Sequence, residues 1–138
     1  MPEEWQWDDP AIPGESAVFR KVLARPNFIV PNLEGGPPAP APGAFKCDAD
    51  GISVYRDELL KSLSLTPEDI KKNTDDHVFG IFVSDVRESG AGVVDSPDDE
   101  DEELGPAHSS IRYSAPKIDK PSERRIRERI IDACWLSE

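Results

Sequence analysis

The chain of 138 residues is long enough for one domain with a hydrophobic core, but too short for two ordinary domains. Only 37% of the residues are hydrophobic, and 14 prolines and 9 glycines indicate a compact domain that carries long irregular segments. The net charge of −12 argues against direct nucleic acid binding, which needs clustered lysines and arginines, and favours a basic partner protein.

Residues 1–15 predict an extended N-terminal arm ahead of a single domain that spans residues 16–138. Prolines and acidic residues surround Trp5 and Trp7 there, and a spacing of two places both indoles on one side of an extended segment. The two rings either dock on the protein's own core or face a partner. The arm is acidic and polar where a secretory signal would be basic and apolar, so we expect a cytoplasmic protein.

Residues 16–25, SAVFRKVLAR, predict a helix, because apolar residues recur at helical spacing behind Ser16, a suitable N-cap. Pro26 would end that helix. NFIVPNL then favours a short strand. The segment 35–43, GGPPAPAPG, favours a semi-rigid strap in the polyproline conformation.

Residues 44–55 predict a β-hairpin that turns at Asp48–Gly51, with Phe45 and Val54 facing the core. The turn sequence DADG also invites comparison with a calcium-binding loop. An EF-hand counted from its first aspartate needs glycine at position six and glutamate at position twelve, whereas this chain has serine and leucine there. A calcium site is therefore not expected.

The next segments predict helices and then strands. RDELLKSLSL predicts a short amphipathic helix, and TPEDIKKN predicts the start of a second one, with Thr66 as its N-cap and Asp69 returning the cap. The apolar run Val78–Val83 predicts a central strand buried on both faces. The turn ESGAG would lead from it to a pairing strand at Val93 and Val94.

The end of the chain predicts one more strand, HSSIRYS, and an amphipathic helix, SERRIRERIIDACWL. This order of elements predicts an α+β domain, in which helices pack on a small antiparallel or mixed sheet. Arg125 and Arg129 have no acidic residue four positions away, unlike Arg127 with Glu123. We therefore expect part of the acidic run at residues 95–103 to fold back against this helix.

Cys47 and Cys134 are the only cysteines, and neither His77 nor His108 is near them in the sequence. This pattern does not provide a structural zinc site, so two free thiols are expected, with a single disulfide left open. No apolar run approaches the roughly 20 residues that cross a bilayer, so no membrane contact is expected. No nucleotide-binding or metalloprotease motif occurs, and we expect no cofactor.

Residues 95–106 predict an acidic loop, because seven of the nine residues from Asp95 to Glu103 are acidic. Contiguous carboxylates repel one another and do not converge on a cation, so no metal site is expected. The loop either binds a basic surface or only keeps the protein in solution. The residues expected to bind a partner are Trp5, Trp7, Asp98, Asp99, Glu100, Asp101, Glu102 and Glu103.

His108, Arg56 and Arg87 are the candidates for an alternative function, a small enzyme or toxin-like effector. A histidine beside carboxylates can act as a general base, and both arginines follow predicted strands. The competing interpretation is structural: His108 binds a backbone carbonyl, and each arginine pairs with acidic residues close to it in the sequence. Convergence of the three side chains in one cavity would favour the enzyme.

Three functional hypotheses follow. The leading one is a non-enzymatic factor, such as an inhibitor, an immunity protein or an accessory subunit, that engages a basic partner protein. The second is the small enzyme, and the third is a structural subunit whose loop only confers solubility. Small bacterial inhibitors, antitoxins and accessory subunits share this size and charge. The sequence leaves the oligomeric state open.

Overall fold

The computed structural model describes residues 5–45, 47 and 51–137. The strands in this part of the chain are β1 (Ala17–Val22), β2 (Ile29–Val30), β3 (Ala39–Pro40), β4 (Ile52–Arg56), β5 (His77–Phe82), β6 (Ala91–Asp95), β7 (His108–Tyr113) and β8 (Trp135–Leu136). The α-helices are α1 (Asp57–Ser62), α2 (Val83–Ser89) and α3 (Lys120–Ala133), and the 3₁₀ helices are Pro42–Phe45, Pro67–Ile70 and Gly105–Ala107.

The fold is α+β, as predicted. Six strands form an antiparallel sheet in the order β6-β7-β4-β1-β5-β8, and β2 pairs with β3 in a separate ribbon. One sheet face packs on α2 and α3 around Val54, and the other packs on α1 and the second 3₁₀ helix around Phe19. Within the described residues, none of the helices has the length and apolar character to cross a membrane.

Residues 16–25 form a strand, so the predicted helix is wrong. β1 lies inside the sheet, where Val18 pairs with Arg56 of β4 and with Ile81 of β5. Residues four apart, such as Val18 and Val22, fall on one face of either a helix or a strand, so their spacing could not separate the two. The aromatic and β-branched residues on both faces of the segment favour a strand buried between two neighbours.

The predicted hairpin at 44–55 is also wrong in its first half. Residues 42–45 form a 3₁₀ helix where the first strand of the hairpin was expected, and β4 pairs instead with β1 and β7. Phe45 and Val54 are both buried in the core, as expected. Residues 48–50 of the expected turn lie outside the described residues.

The interior strand predicted from Val78–Val83 is confirmed, but the last residue of this run begins a helix that was not predicted. β5 lies between β1 and β8, and its residues 78–81 are buried. The chain then enters α2, whose Val83, Val86 and Ser89 recur at helical spacing and are buried. The predicted pairing of β6 with β5 across a turn is therefore wrong, and β6 pairs with β7 instead.

The remaining helices are present, although the second is 3₁₀ and the last ends earlier than predicted. Trp135 and Leu136, which were expected in that helix, form β8 and pair with β5. Asp69 accepts a hydrogen bond from the backbone N–H of Thr66 at 2.8 Å, so the expected cap at residue 66 is present. α3 buries Ile130 against the sheet, and Arg127 pairs with Glu123 on its surface.

Candidate partner-binding surface

The acidic run forms a closed loop that is held by its own backbone. The N–H of Asp98 donates to the carbonyl of Gly105 at 3.0 Å, and the Asp101 carboxylate accepts the N–H of Leu104 at 2.9 Å. Gly105 permits this closure, because a Cβ on it would lie 1.8 Å from the Asp98 carbonyl oxygen. Leu104 and Ala107 then anchor the loop in the core beneath it.

Most of the carboxylates of this loop point into solvent. Residues 98–100, 102 and 103 are exposed, and Asp101 is partly exposed. None of the ion pairs found in residues 5–45, 47 and 51–137 involves Asp98 to Glu103. Two of the six, Asp98 and Asp101, accept backbone N–H groups of the loop itself. The folded loop therefore presents a high density of negative charge to solvent, without a direct ion pair to the described residues.

A groove of about 540 Å³ runs between the acidic loop and the segment that follows α1. Tyr55, Ile70 and Leu104 contribute to its lining, the loop carboxylates form one wall, and Lys71 and Lys72 lie on the other. Burial raises the pKa of the Tyr55 phenol, and the charges of Asp101 and Asp98 raise it further. The negative potential of the loop therefore extends to the aromatic ring in the groove.

Asp95, the first member of the acidic run, belongs to a different structure. Its carboxylate accepts two hydrogen bonds from one Arg56 nitrogen, at 2.8 and 2.9 Å, and a third from the Ser109 hydroxyl at 3.0 Å. Arg56 is buried and also pairs with Glu58 at 3.1 Å, and Glu58 accepts a hydrogen bond from Ser16. This network joins three strands, β4, β6 and β7, to the start of α1 and to Ser16 just before β1, so Asp95 has a structural role.

His108 binds a backbone carbonyl, as its structural interpretation predicted. Its Nδ1 lies 2.7 Å from the carbonyl oxygen of Ser96, and the Ser96 N–H donates to the carbonyl of His108 at 3.1 Å. The Ser96 hydroxyl also lies 3.0 Å from Nδ1, but it cannot donate to a nitrogen that carries the hydrogen bound to the carbonyl. It forms a hydrogen bond with the Ser110 hydroxyl, 2.7 Å away. His108 thus closes the base of the acidic loop.

The three candidate catalytic side chains do not converge. His108 pairs with Tyr55 across the sheet, and neighbouring strand residues point to opposite faces, so His108 and Arg56 lie on opposite sides of the sheet. Arg87 lies on α2, where it donates to the Asp8 carboxylate at 3.1 and 3.2 Å. Its predicted pairing with an acidic neighbour in the sequence is wrong, because Asp8 is 79 positions away.

The N-terminal arm docks on the domain, and both tryptophans are half-buried. The Trp5 indole N–H donates to the carbonyl of Tyr113 at 2.7 Å, and the Arg112 guanidinium lies 5.3 Å from the Trp5 ring centre. The chain passes closely over Gly92, where a Cβ would lie 2.4 Å from the Trp7 carbonyl oxygen. The sequence left open whether the two rings dock on the protein itself or face a partner, and in the structure the arm lies on the protein's own surface.

Among the residues that the structure describes, the acidic loop and α3 lie on opposite sides of the sheet, so the expected contact between the acidic run and α3 is not made. Leu104 fixes the loop on the sheet face that also carries Leu60 and Ile70, whereas Ile130 fixes α3 on the opposite face. A short connection in the sequence does not show on which side of a sheet a loop will lie. Arg125 and Arg129 are instead exposed on the outer side of α3.

The groove beside the loop was not predicted from the sequence. Its aromatic residue, Tyr55, directly follows Val54 in β4, and side chains alternate between the two faces of a strand. The sequence therefore could have placed Tyr55 on the face opposite to Val54. The position of Ile70 across from the loop depends on the sheet order, which the sequence did not reveal. In the part of the chain that the structure describes, no three His, Cys, Asp or Glu side chains come together as a metal site.

The sequence and the fold were both compared with those of known proteins. No family model, curated protein or solved structure is significantly similar to the chain.

Proposed function

We propose that this protein is a non-enzymatic binding factor, of the inhibitor, immunity or accessory class, that engages a basic partner protein through its acidic loop. The observation that carries the proposal is the exposed negative charge of residues 98–103 on a loop whose backbone is held by its own hydrogen bonds. A fixed loop presents its carboxylates without the entropic cost of ordering them on binding. Charge of one sign on such a surface accelerates association with a partner of opposite sign.

The groove supplies the specific part of the interface. An arginine or lysine of the partner can lie over the Tyr55 ring while the carboxylates of Asp98 and Asp101 compensate its charge. A cation over an exposed aromatic ring contributes about 0.5–1 kcal/mol, and the apolar side chains of Ile70 and Leu104 add contact area. The partner class is therefore a protein with a projecting basic side chain.

The test compares two variants with the same net charge. The loop variant replaces Asp99, Glu100, Glu102 and Glu103 by Asn or Gln and keeps the aspartates that hold the backbone of the loop. The control variant neutralises four exposed acidic residues elsewhere, Glu15, Glu34, Glu88 and Asp132. Four substitutions change the net charge from −12 to −8 in both variants.

Affinity capture from the native host defines the partner as a protein that the parent and the control retain. We expect the loop variant no longer to retain this partner. At low salt, the rate of association with the partner should be at least tenfold lower for the loop variant than for the parent, and less than threefold lower for the control. In the parent, the rate should fall with added salt, because charges are screened over about 8 Å at physiological ionic strength. Equal effects of the two variants, or retention of the same proteins by all three, would contradict the proposal.

A further inference from the structure

The outer side of α3 carries an excess of positive charge in an acidic chain. Residues 120–129 contain five basic and two acidic residues, a net charge of +3, whereas the whole chain has a net charge of −12. Arg127 and Glu123 pair with each other, and Glu128 is the one exposed acidic residue of this stretch. The remaining four cations form what we call the basic surface: Lys120, Arg124, Arg125 and Arg129.

These four side chains are exposed and have no direct counter-charge. None of the ion pairs found in the part of the chain that the structure describes involves any of them. Lys120 lies in the first turn of α3, where the positive end of the helix dipole disfavours a cation, and Arg124 and Arg125 follow in the second turn. Residues that oppose a local preference are expected at functional positions. The basic surface is therefore suited to an acidic group outside its own helix.

The acidic loop cannot supply that group within one chain. Leu104 anchors the loop on one face of the sheet, and Ile130 anchors α3 on the other. In two copies stacked with the same orientation, however, the loop of one copy faces α3 of the next. Arg125 and Arg129 are then the projecting basic side chains that the groove at Tyr55 can accept.

We propose that copies of this protein associate head to tail, with the acidic loop of one copy bound to the basic surface of the next. Charge complementarity selects a second copy as the occupant, because the chain presents both surfaces and its own fold keeps them apart. The contact is heterologous, so each pair of copies leaves one loop and one basic surface free. This inference rests on the proposed function in one respect, that the loop binds basic surfaces. It adds that α3 of another copy competes with the partner protein for the loop.

The net charge of −12 gives this association a characteristic dependence on salt. Charges act over about 30 Å at 0.01 M salt, about 8 Å at 0.15 M and about 3 Å at 1 M. At the lowest salt whole copies repel one another, and at the highest salt the contacts between loop and helix are screened as well. Self-association should therefore be strongest at the intermediate salt. An apolar interface would instead persist at the highest salt.

The test uses a helix variant, Arg125→Glu/Arg129→Glu, in which the basic surface is reversed. Its matched control is Arg25→Glu/Lys61→Glu, at two exposed positions away from α3. Both change the net charge from −12 to −16. The loop variant described above, with a net charge of −8, removes the other half of the contact. Sedimentation velocity over a range of protein concentrations measures the dissociation constant for each protein.

At physiological salt, we expect the dissociation constants of the parent and the control to agree within threefold. Those of the helix variant and of the loop variant should be at least tenfold higher, although the loop variant has less net charge to repel its copies. A mixture of the two variants should form a one-to-one dimer that does not grow, because one intact loop and one intact basic surface remain. Misfolded variants would not restore association in this way.

A parent that stays monomeric at all three salt concentrations would overturn the inference, and so would the absence of a dimer in the mixture. Self-association that persists at the highest salt would also contradict it. The helix variant should still capture the partner protein that the loop variant loses. Failure of the head-to-tail contact is therefore distinguishable from failure of the proposed function.

Discussion

The N-terminal arm and the acidic loop are both irregular and both rich in carboxylates, but the two regions use this charge differently. In the arm, the Asp8 carboxylate binds Arg87 and the Val93 amide. In the loop, Asp98 and Asp101 hold only nearby backbone groups, and the other four carboxylates project outwards. Composition alone therefore does not show whether the carboxylates of an acidic segment hold the fold together or project into solvent, whereas their hydrogen bonds and exposure do.

Two glycines test whether each region is held as tightly as its contacts indicate. Gly105→Ala places a Cβ against the backbone of Asp98 inside the closed loop and should destabilise the protein by about 3 kcal/mol, at the upper end of overpacking effects. Gly92→Ala should cost only about 1 kcal/mol, because the overlying arm can move away. Urea unfolding measures both changes in the free energy of unfolding.

Tryptophan fluorescence separates the two glycine variants. Gly92→Ala should shift the emission to longer wavelength as the arm tryptophans become hydrated, and Gly105→Ala should not do so in its folded state. A larger loss of stability for Gly92→Ala than for Gly105→Ala would show that the arm is the more rigid of the two regions.

The acidic run itself contains a matched pair. Asp95→Asn leaves the buried Arg56 with weaker compensation and should cost about 2 kcal/mol, because an unpaired buried charge is costly. Asp99→Asn, four positions along, should change the free energy of unfolding by less than about 0.5 kcal/mol. If thermal unfolding gave similar losses for both variants, the division of the run at Asp95 would be wrong.

The third test concerns a carboxylate that belongs to neither region and resembles those of the arm. Asp76 is buried and accepts the backbone N–H groups of Lys72 and Asn73 at 3.1 and 3.0 Å. Burial acts to raise the pKa of Asp76, but the N–H groups of Asn73 and Lys72, helped by the charge of Lys21, hold it below its usual value. The stabilisation is therefore complete above the unfolded pKa of about 3.9 and is lost as the pH falls through the folded pKa.

Asp76→Ala should accordingly lower the free energy of unfolding by about 1.5 kcal/mol at pH 7, in the range expected for hydrogen bonds to a charged group. The difference between parent and variant should shrink as the pH is lowered below the ordinary aspartate range. Unfolding curves collected across acidic pH measure it. A difference that stays constant with pH would assign the effect to packing and not to ionisation.

Local patterns in the sequence predicted the local features of the structure. The class of fold, the strand at 108–113, the cap formed by Thr66 and Asp69, and the carbonyl bond of His108 follow from nearby residues. β1 was mistaken for a helix because a spacing of four fits both elements. Arg56 also pairs with the nearby Glu58, but its partner Asp95 and the Asp8 partner of Arg87 lie 39 and 79 positions away. These two distant pairings depend on the sheet order, which residue patterns do not determine.

The position of β1 has a consequence for how the chain reaches its native state. The first strand in the sequence lies in the interior of the sheet, between β4 and β5, and neither neighbour is adjacent to it in the chain. A topology dominated by distant pairings must close large loops before any contact compensates their entropy, so folding on the scale of milliseconds to seconds is expected. During synthesis, β1 would leave the ribosome before β4 and β5 and remain without these two partners until they follow. Its Arg20 and Lys21 supply charge beside the apolar residues in that interval, and such flanking charges reduce aggregation.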